Sequence, residues 1–235
     1  PIGSRGLGDV YKRQILPLES DESISAILAI KNFDENSYLF LTTRNGMVNR
    51  MSLSAFKKVR NSGLKAILLK NNDYLFNALH TSGDDKIILS STSGKSIMFV
   101  ETQIRERSRG TQGVTGIKLS KESKIISSLN IQSSQVIFVT ENGFGNKISV
   151  ESYNEQNRGG QGVISIKTSV RNGLVVGAVN VENTDHIILI TNKGKTIKIS
   201  ASDMKTINRN TQGVRLQDMS DDEKISAISS ERLND

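Results

Sequence analysis

The apolar positions of this chain come in short runs, each ending in a hydroxyl residue and a glycine-bearing turn. Tyr38-Leu-Phe-Leu-Thr-Thr-Arg-Asn-Gly46, Lys86-Ile-Ile-Leu-Ser-Ser-Thr-Ser-Gly94, Gln135-Val-Ile-Phe-Val-Thr-Glu-Asn-Gly143 and His186-Ile-Ile-Leu-Ile-Thr-Asn-Lys-Gly194 are four copies of one pattern. A second, alternating stretch follows the glycine, as in Lys195-Thr-Ile-Lys-Ile-Ser200. Two β-rich runs joined by a short turn with glycine predict a β-hairpin. A looser polar segment comes next, such as Ser152 to Asn157, then a basic corner, a strand such as Val163 to Lys167 and another apolar strand such as Leu174 to Val181. No stretch keeps a helical period over three turns.

The repeat has two independent landmarks. The turn glycines Gly46, Gly94, Gly143 and Gly194 lie 48, 49 and 51 residues apart. The corners Arg60-Asn-Ser-Gly63, Arg109-Gly-Thr-Gln-Gly113, Arg158-Gly-Gly-Gln-Gly162 and Arg209-Asn-Thr-Gln-Gly213 end on glycines 50, 49 and 51 apart. A shared period of about 50 residues with four strands per unit is the count of a propeller blade. One such unit cannot bury both of its faces alone, so stacked units are expected. The fold class is therefore all-β, a propeller-like array of four-stranded repeats over residues 15–235. Residues 1–14 break the register: Ser4-Arg-Gly-Leu-Gly8 imitates a corner, but Tyr11-Lys-Arg-Gln14 has no counterpart elsewhere. We read them as a non-native linker or adapter segment.

Composition narrows the function. The chain has 31 Lys+Arg against 24 Asp+Glu, a net charge of +7, and no Cys. Thiolate metal sites, disulfides and cysteine nucleophiles are thereby excluded. With aromatic residues at 5% and no Trp, a base-stacking platform is disfavoured and contact with backbone phosphates is the better expectation. No apolar run reaches the roughly 18 residues of a membrane-spanning helix.

The pairing of a Thr-x-x-Gly hairpin turn with an Arg-Gly-x-x-Gly-Val corner, recurring in order, resembles the C-terminal β-pinwheel domain of DNA gyrase A. The resemblance covers about Ile15 to Leu233. It implies a part of a type II DNA topoisomerase that wraps double-stranded DNA without sequence preference and supports ATP-dependent negative supercoiling by the whole enzyme. The catalytic tyrosine and the ATPase would lie outside this chain, which needs no cofactor of its own. Implied partners are the rest of gyrase A, together with gyrase B, in an A2B2 complex, with a cytoplasmic, nucleoid-associated location in a bacterium. The corresponding domain of topoisomerase IV is the nearest alternative, and a propeller-like protein-interaction scaffold is another. The family's first blade carries a box of the form Gln-basic-Arg-Gly-Gly-basic-Gly. Gln156-Asn-Arg-Gly-Gly-Gln-Gly162 matches five of its seven places but has Asn157 and Gln161 at the basic ones. It reads as an ordinary corner of a later blade, with the boxed blade upstream of this chain.

Each candidate residue has a plain structural reading beside the functional one. Gly63, Gly113, Gly162 and Gly213 read first as residues able to take a positive φ at a tight reversal. The periodic Arg60, Arg109, Arg158 and Arg209 either hold backbone carbonyls or meet phosphates at intervals. Arg105 and Arg107 beside Arg109, and Lys57 and Lys58 beside Arg60, extend the same basic positions. Gly94-Lys-Ser96 and Gly194-Lys-Thr196 imitate a phosphate loop, but Leu89 and Leu189 stand where its first glycine is required, and both tripeptides are expected on hairpin turns. His80 and His186 lack metal-binding spacing, and no acidic cluster suggests a metal or an acid–base pair.

Overall fold

The computed structural model describes residues 22–58, 63–70, 72–220 and 222–232. The proposed adapter segment and Arg60 lie outside them.

Among the described residues, seventeen strands follow one another, joined by turns, loops and four short 3-10 helices. The first unit contains β1 (Tyr38–Thr43), β2 (Met47–Ser52), β3 (Ile67–Leu68) and β4 (Leu75–Thr81). The second has β5 (Lys86–Ser91), β6 (Lys95–Val100), β7 (Thr111–Gln112), β8 (Val114–Thr115) and β9 (Ile125–Asn130). The third has β10 (Gln135–Thr140), β11 (Phe144–Ser149), β12 (Val163–Ile164) and β13 (Val175–Val181). The fourth has β14 (His186–Thr191), β15 (Thr196–Ser200), β16 (Val214–Arg215) and β17 (Ile225–Glu231).

The hairpin motif has a local cause. The N–H of each turn glycine donates to the carbonyl of the hydroxyl residue three places earlier, Gly46 to Thr43 at 3.0 Å, Gly94 to Ser91 at 2.9 Å, Gly143 to Thr140 at 3.1 Å and Gly194 to Thr191 at 3.0 Å. The four glycines have φ between 76° and 83°, the left-handed turn position that closes a three-residue hairpin loop. The hydroxyl braces the strand that follows: Met47 N–H donates to Thr43 Oγ1 at 3.1 Å and Lys195 N–H to Thr191 Oγ1 at 3.2 Å.

Sheet pairing departs from the sequence repeat by one strand. The orders are β4-β1-β2-β8, β9-β5-β6-β12 and β13-β10-β11-β16, blade 4 is the three-stranded β17-β14-β15, and β3 pairs in parallel with β7 between the first two units. The short strand after each of the last three corners thus leaves its own unit and becomes the outer edge of the preceding blade. A repeat read along the chain assigns that strand to the wrong sheet, because period counts residues and says nothing about pairing.

Neighbouring blades also share cores. Phe40 and Val48 of blade 1 pack with Ile87, Leu89, Ile97 and Phe99 of blade 2. Ile88 and Met98 join Val136, Phe138 and Ile148 of blade 3. Ile137 and Val139 join Ile187 and Leu189 of blade 4. Both faces of an inner blade are covered, which is why β5 and β10 are almost wholly buried runs and lack a hydrophobic–polar alternation.

Candidate nucleic-acid interface

The corners are where the chain crosses from one blade to the previous one. At the residue after the arginine, Gly110, Gly159 and Asn210 have φ of 71°, 79° and 67°. At the fourth residue a side chain has no room. A Cβ on Gly113 would stand 2.7 Å from Val48 O, one on Gly162 2.5 Å from Ser96 O, and one on Gly213 2.5 Å from Gly145 O. Gly63, Gly162 and Gly213 take positive φ, whereas Gly113 does not. What the three corners that reach a preceding hairpin share is close backbone approach, with chain reversal added at two of them.

The arginines are held in place without being neutralised. Arg158 donates from Nε to Gln103 O at 3.1 Å and from Nη1 to Thr115 O at 3.2 Å, and its backbone N–H donates to Gln103 Oε1 at 2.8 Å. Arg209 donates from Nε to Ser152 O at 3.1 Å and lies 5.2 Å from the Tyr153 ring. Arg109 lies 5.8 Å from the Phe56 ring, and Arg107 donates to Gln112 O at 3.1 Å. Burial pushes the Tyr153 hydroxyl above the ordinary tyrosine range, opposed by the Ser165 hydrogen bond and by the Arg209 charge.

Carbonyl oxygens and ring faces fix a guanidinium while leaving its full charge, and a guanidinium has five donors to share. Ion pairs among the described residues join Lys198 to Glu231, Arg215 to Asp218 and Lys224 to Glu141, so none discharges a corner arginine. Lys57, Lys58, Arg105, Arg107 and Arg109 are exposed, while Arg158 and Arg209 are half-buried. The alternatives posed by the sequence, carbonyl clamp or available cation, are therefore compatible in one residue.

Two further cations escaped the sequence reading. Lys118 and Lys167 occupy the same place, five residues after the corner glycine, and both are exposed. Their backbone N–H groups reach the following corner, Lys118 to Gly160 O at 2.8 Å and Lys167 to Thr211 O at 2.7 Å. The signal available was the repeated Ile117-Lys118 and Ile166-Lys167. Depressions lie beside these corners. One of about 160 Å³ is lined by Ser91, Ser93, Lys95, Lys118 and Ser120. A wider groove of about 540 Å³ carries Lys95, Ser152, Asn208 and Arg209. Cations with hydroxyls and amides at repeated junctions suit a phosphate chain better than a compact substrate.

The two phosphate-loop look-alikes do lie on hairpin turns. Among the described residues no group of three or more His, Asp or Glu could hold a metal ion, and no helix is long and apolar enough to cross a membrane.

Stacked four-stranded sheets, repeated glycine corners and strand exchange between neighbours define a β-propeller-type repeat protein. A family model described as DNA gyrase C-terminal domain, beta-propeller, matches residues 37–82, 85–132, 134–182 and 185–230, one match per repeat. The chain belongs to that family. It is 39% identical over 226 residues to the DNA gyrase A subunit of Escherichia coli (strain K12), covering 96% of this chain and 26% of that protein. It is 38% identical over 216 residues to the DNA gyrase A subunit of Chlamydia pneumoniae, covering 91% and 26%. The chain thus spans about a quarter of the length of the curated relatives it matches. A solved DNA gyrase A C-terminal domain superposes with a TM-score of 0.82 at 26% identity, covering 97% of this chain and 75% of that one. The C-terminal domain of DNA topoisomerase IV gives 0.85 at 26% identity, covering 93% and 69%.

Proposed function

We propose that this chain binds double-stranded DNA through its phosphates, without reading sequence, as the C-terminal part of a DNA gyrase A. In the whole enzyme such binding would wrap a duplex segment and serve ATP-dependent negative supercoiling, alongside the rest of gyrase A and two copies of gyrase B in an A2B2 complex, in the bacterial cytoplasm at the nucleoid. The observation that carries the reading is the recurrence of un-neutralised arginines, fixed by carbonyls and rings, at successive blade junctions. A duplex crossing several junctions meets charge at each, which one basic pocket would not provide. The fold likeness extends to topoisomerase IV, but the curated sequence relatives cited above are gyrases, and they favour the gyrase reading.

The test is an electrophoretic mobility titration on plain duplexes of unrelated sequence over a salt series. The slope of log K against log salt should be about −0.9 per phosphate neutralised. Arg109→Ala should make it shallower by roughly that amount, and equally on every duplex. Unchanged binding in Arg109→Ala, Arg158→Ala and Arg209→Ala alike would reduce the corner arginines to clamps. Absence of binding to any duplex at low salt would remove the reading altogether.

A further inference from the structure

The hairpin of blade 2 and the segment that follows Gly113 border a depression whose polar lining is unused. Lys95, Lys118, Ser120 and Gln161 face it, and none of these four side chains has a hydrogen-bond or ion-pair partner among the described residues. Their protons are free for a ligand, three on each ammonium, one on the hydroxyl and two on the amide. The rear wall, by contrast, is committed. Ser123 Oγ donates to Ser93 Oγ at 3.2 Å, Ser91 Oγ donates to Lys95 O at 3.0 Å, and the Ser93 and Ser91 hydroxyls lie 3.1 Å apart. With the Ser91 proton used on that carbonyl, Ser93 donates to Ser91, and the chain of hydroxyls fixes the backbone that carries Lys95. The phosphate-loop look-alike Gly94-Lys-Ser96 contributes only its lysine here, because Gly94 N–H donates to Ser91 O and the Ser96 hydroxyl to Ser90 Oγ.

Size limits what can enter. The depression measures about 160 Å³. That is room for roughly five waters at about 30 Å³ each, and it falls below the roughly 300 Å³ at which small-molecule pockets begin. One tetrahedral oxyanion fits where a nucleoside does not, and two cations, a hydroxyl and an amide are the donors such an anion needs.

The other blades do not repeat this lining. At the same place in blade 1 the depression shrinks to about 10 Å³, with Met47 and Leu68 at the positions of Lys95 and Lys118. In blade 3 Phe144 stands in the place of Lys95, with Arg171 and Arg215 at 4.7 and 5.4 Å from its ring. Ser169 and Gln212, in the places of Ser120 and Gln161, are engaged with Asn172 and Arg171. In blade 4 the position of Lys118 is taken by Asp218, paired with Arg215.

We propose that the blade 2 depression is a seat for one phosphate group, held by Lys95, Lys118, Ser120 and Gln161. On a duplex, a half of the inference that rests on the proposed function, the seat takes one backbone phosphate and anchors the DNA at blade 2, so that the junctions are unequal. Free inorganic phosphate presents the same oxygens and should enter the same seat.

The experiment has two arms, both on the full chain. In the first, backbone amide signals are followed by NMR while sodium phosphate is added, against sodium chloride at matched ionic strength. Lys95, Lys118, Ser120 and Gln161 should shift saturably with phosphate and not with chloride. The shifts should vanish in Lys95→Gln and Lys118→Gln and persist in Lys167→Gln. Lys118 and Lys167 are matched controls: both are exposed, and each keeps through its backbone N–H a bond to the following corner that glutamine retains. In the second arm duplex affinity is measured. Lys118→Gln should lower it about tenfold, the order of one charge-assisted hydrogen bond in an enclosed site. Lys167→Gln should lower it only about twofold, the order of one solvated charge. Absence of a saturable phosphate shift, or one that survives both blade 2 substitutions, overturns the seat. Equal losses of duplex affinity in Lys118→Gln and Lys167→Gln overturn the anchor and leave DNA binding standing. Saturable phosphate uptake in a chain that binds no duplex at low salt would support the seat while removing the proposed function.

Discussion

At the scale of single residues, burial and partner identity decide what each polar group does. Glu101 is fully buried and accepts from Gly83 N–H at 2.8 Å, Asp85 N–H at 3.1 Å and Thr81 Oγ1 at 2.7 Å, so its role is to close a loop. Lys147 is buried with Nζ donating to Ala201 O at 2.8 Å and Asn183 Oδ1 at 3.0 Å, and burial pushes its ammonium below the ordinary lysine range. Glu141 ties blade 3 to blade 4. Burial alone would raise its pKa, but Lys224 Nζ at 2.7 Å, the Leu174 N–H at 3.0 Å and the lysine charge together hold it below 4.5. A carboxylate with a folded pKa below its unfolded one adds stability in full above the unfolded value, and that stability is lost as pH falls through the folded value. Glu141→Gln should therefore cost about 0.5 to 1 kcal/mol at neutral pH, a modest figure because Lys224 is half exposed, and progressively less below pH 4.5. Urea midpoints of both proteins at pH 7 and pH 3 check this. An equal loss at both pH values would mean that packing, not charge, is what the glutamate supplies.

At the scale of elements, the hairpins were legible in the sequence and the sheets were not. Thr-x-x-Gly announces a turn because its geometry is local: a hydroxyl, one N–H to carbonyl bond and one left-handed glycine, all within five residues. The corner's meaning is non-local, since Gly162 is small on account of Ser96, 66 residues earlier. A single sequence shows that a glycine recurs without showing against what. For the same reason Arg158 was visible as a periodic cation, but its clamp on Gln103 and Thr115 was not, as both partners come from other parts of the fold. Strand exchange makes a sharp contrast between two glycines with the same sequence context. Gly94→Ala places a Cβ 2.0 Å from Ile166 O at φ +76°, and relief requires moving the exchanged strand. Gly194→Ala adds a Cβ in open space at φ +80° and costs only the left-handed strain, ~1 to 2 kcal/mol. Gly94→Ala should lose roughly 3 kcal/mol or more. Equilibrium unfolding in dilute solution ranks them, and equal losses would contradict the exchange of the short strands.

At the scale of the whole molecule, stability and DNA binding both depend on how far the array extends. Three of its hydrophobic clusters each bridge two adjacent blades, and among the described residues no cluster or backbone hydrogen bond links blade 4 back to blade 1. Such an array behaves as repeats coupled to nearest neighbours. On the proposed function, a duplex laid across it would meet charge at a few junctions only. The segment nearest to the family's wrapping box has exposed Asn157 and Gln161 where that box has cations, so within those seven residues Arg158 is the one cation. Bending 20 to 30 base pairs by 40 to 90° costs on the order of 1 to 6 kcal/mol, and only contacts that the bend itself creates can offset it. Four blades with a net charge of +7 should attract DNA while gaining few such contacts. The expected outcome is binding without strong wrapping. Closed circular plasmid relaxed by a separate nicking-closing enzyme in the presence of this chain should keep nearly the same linking-number distribution after the protein is removed. That should hold at protein levels that fully retard the plasmid in a gel. A large, dose-dependent shift of one sign would show instead that four blades bend DNA unaided, and that the lack of cations at Asn157 and Gln161 does not limit the wrap.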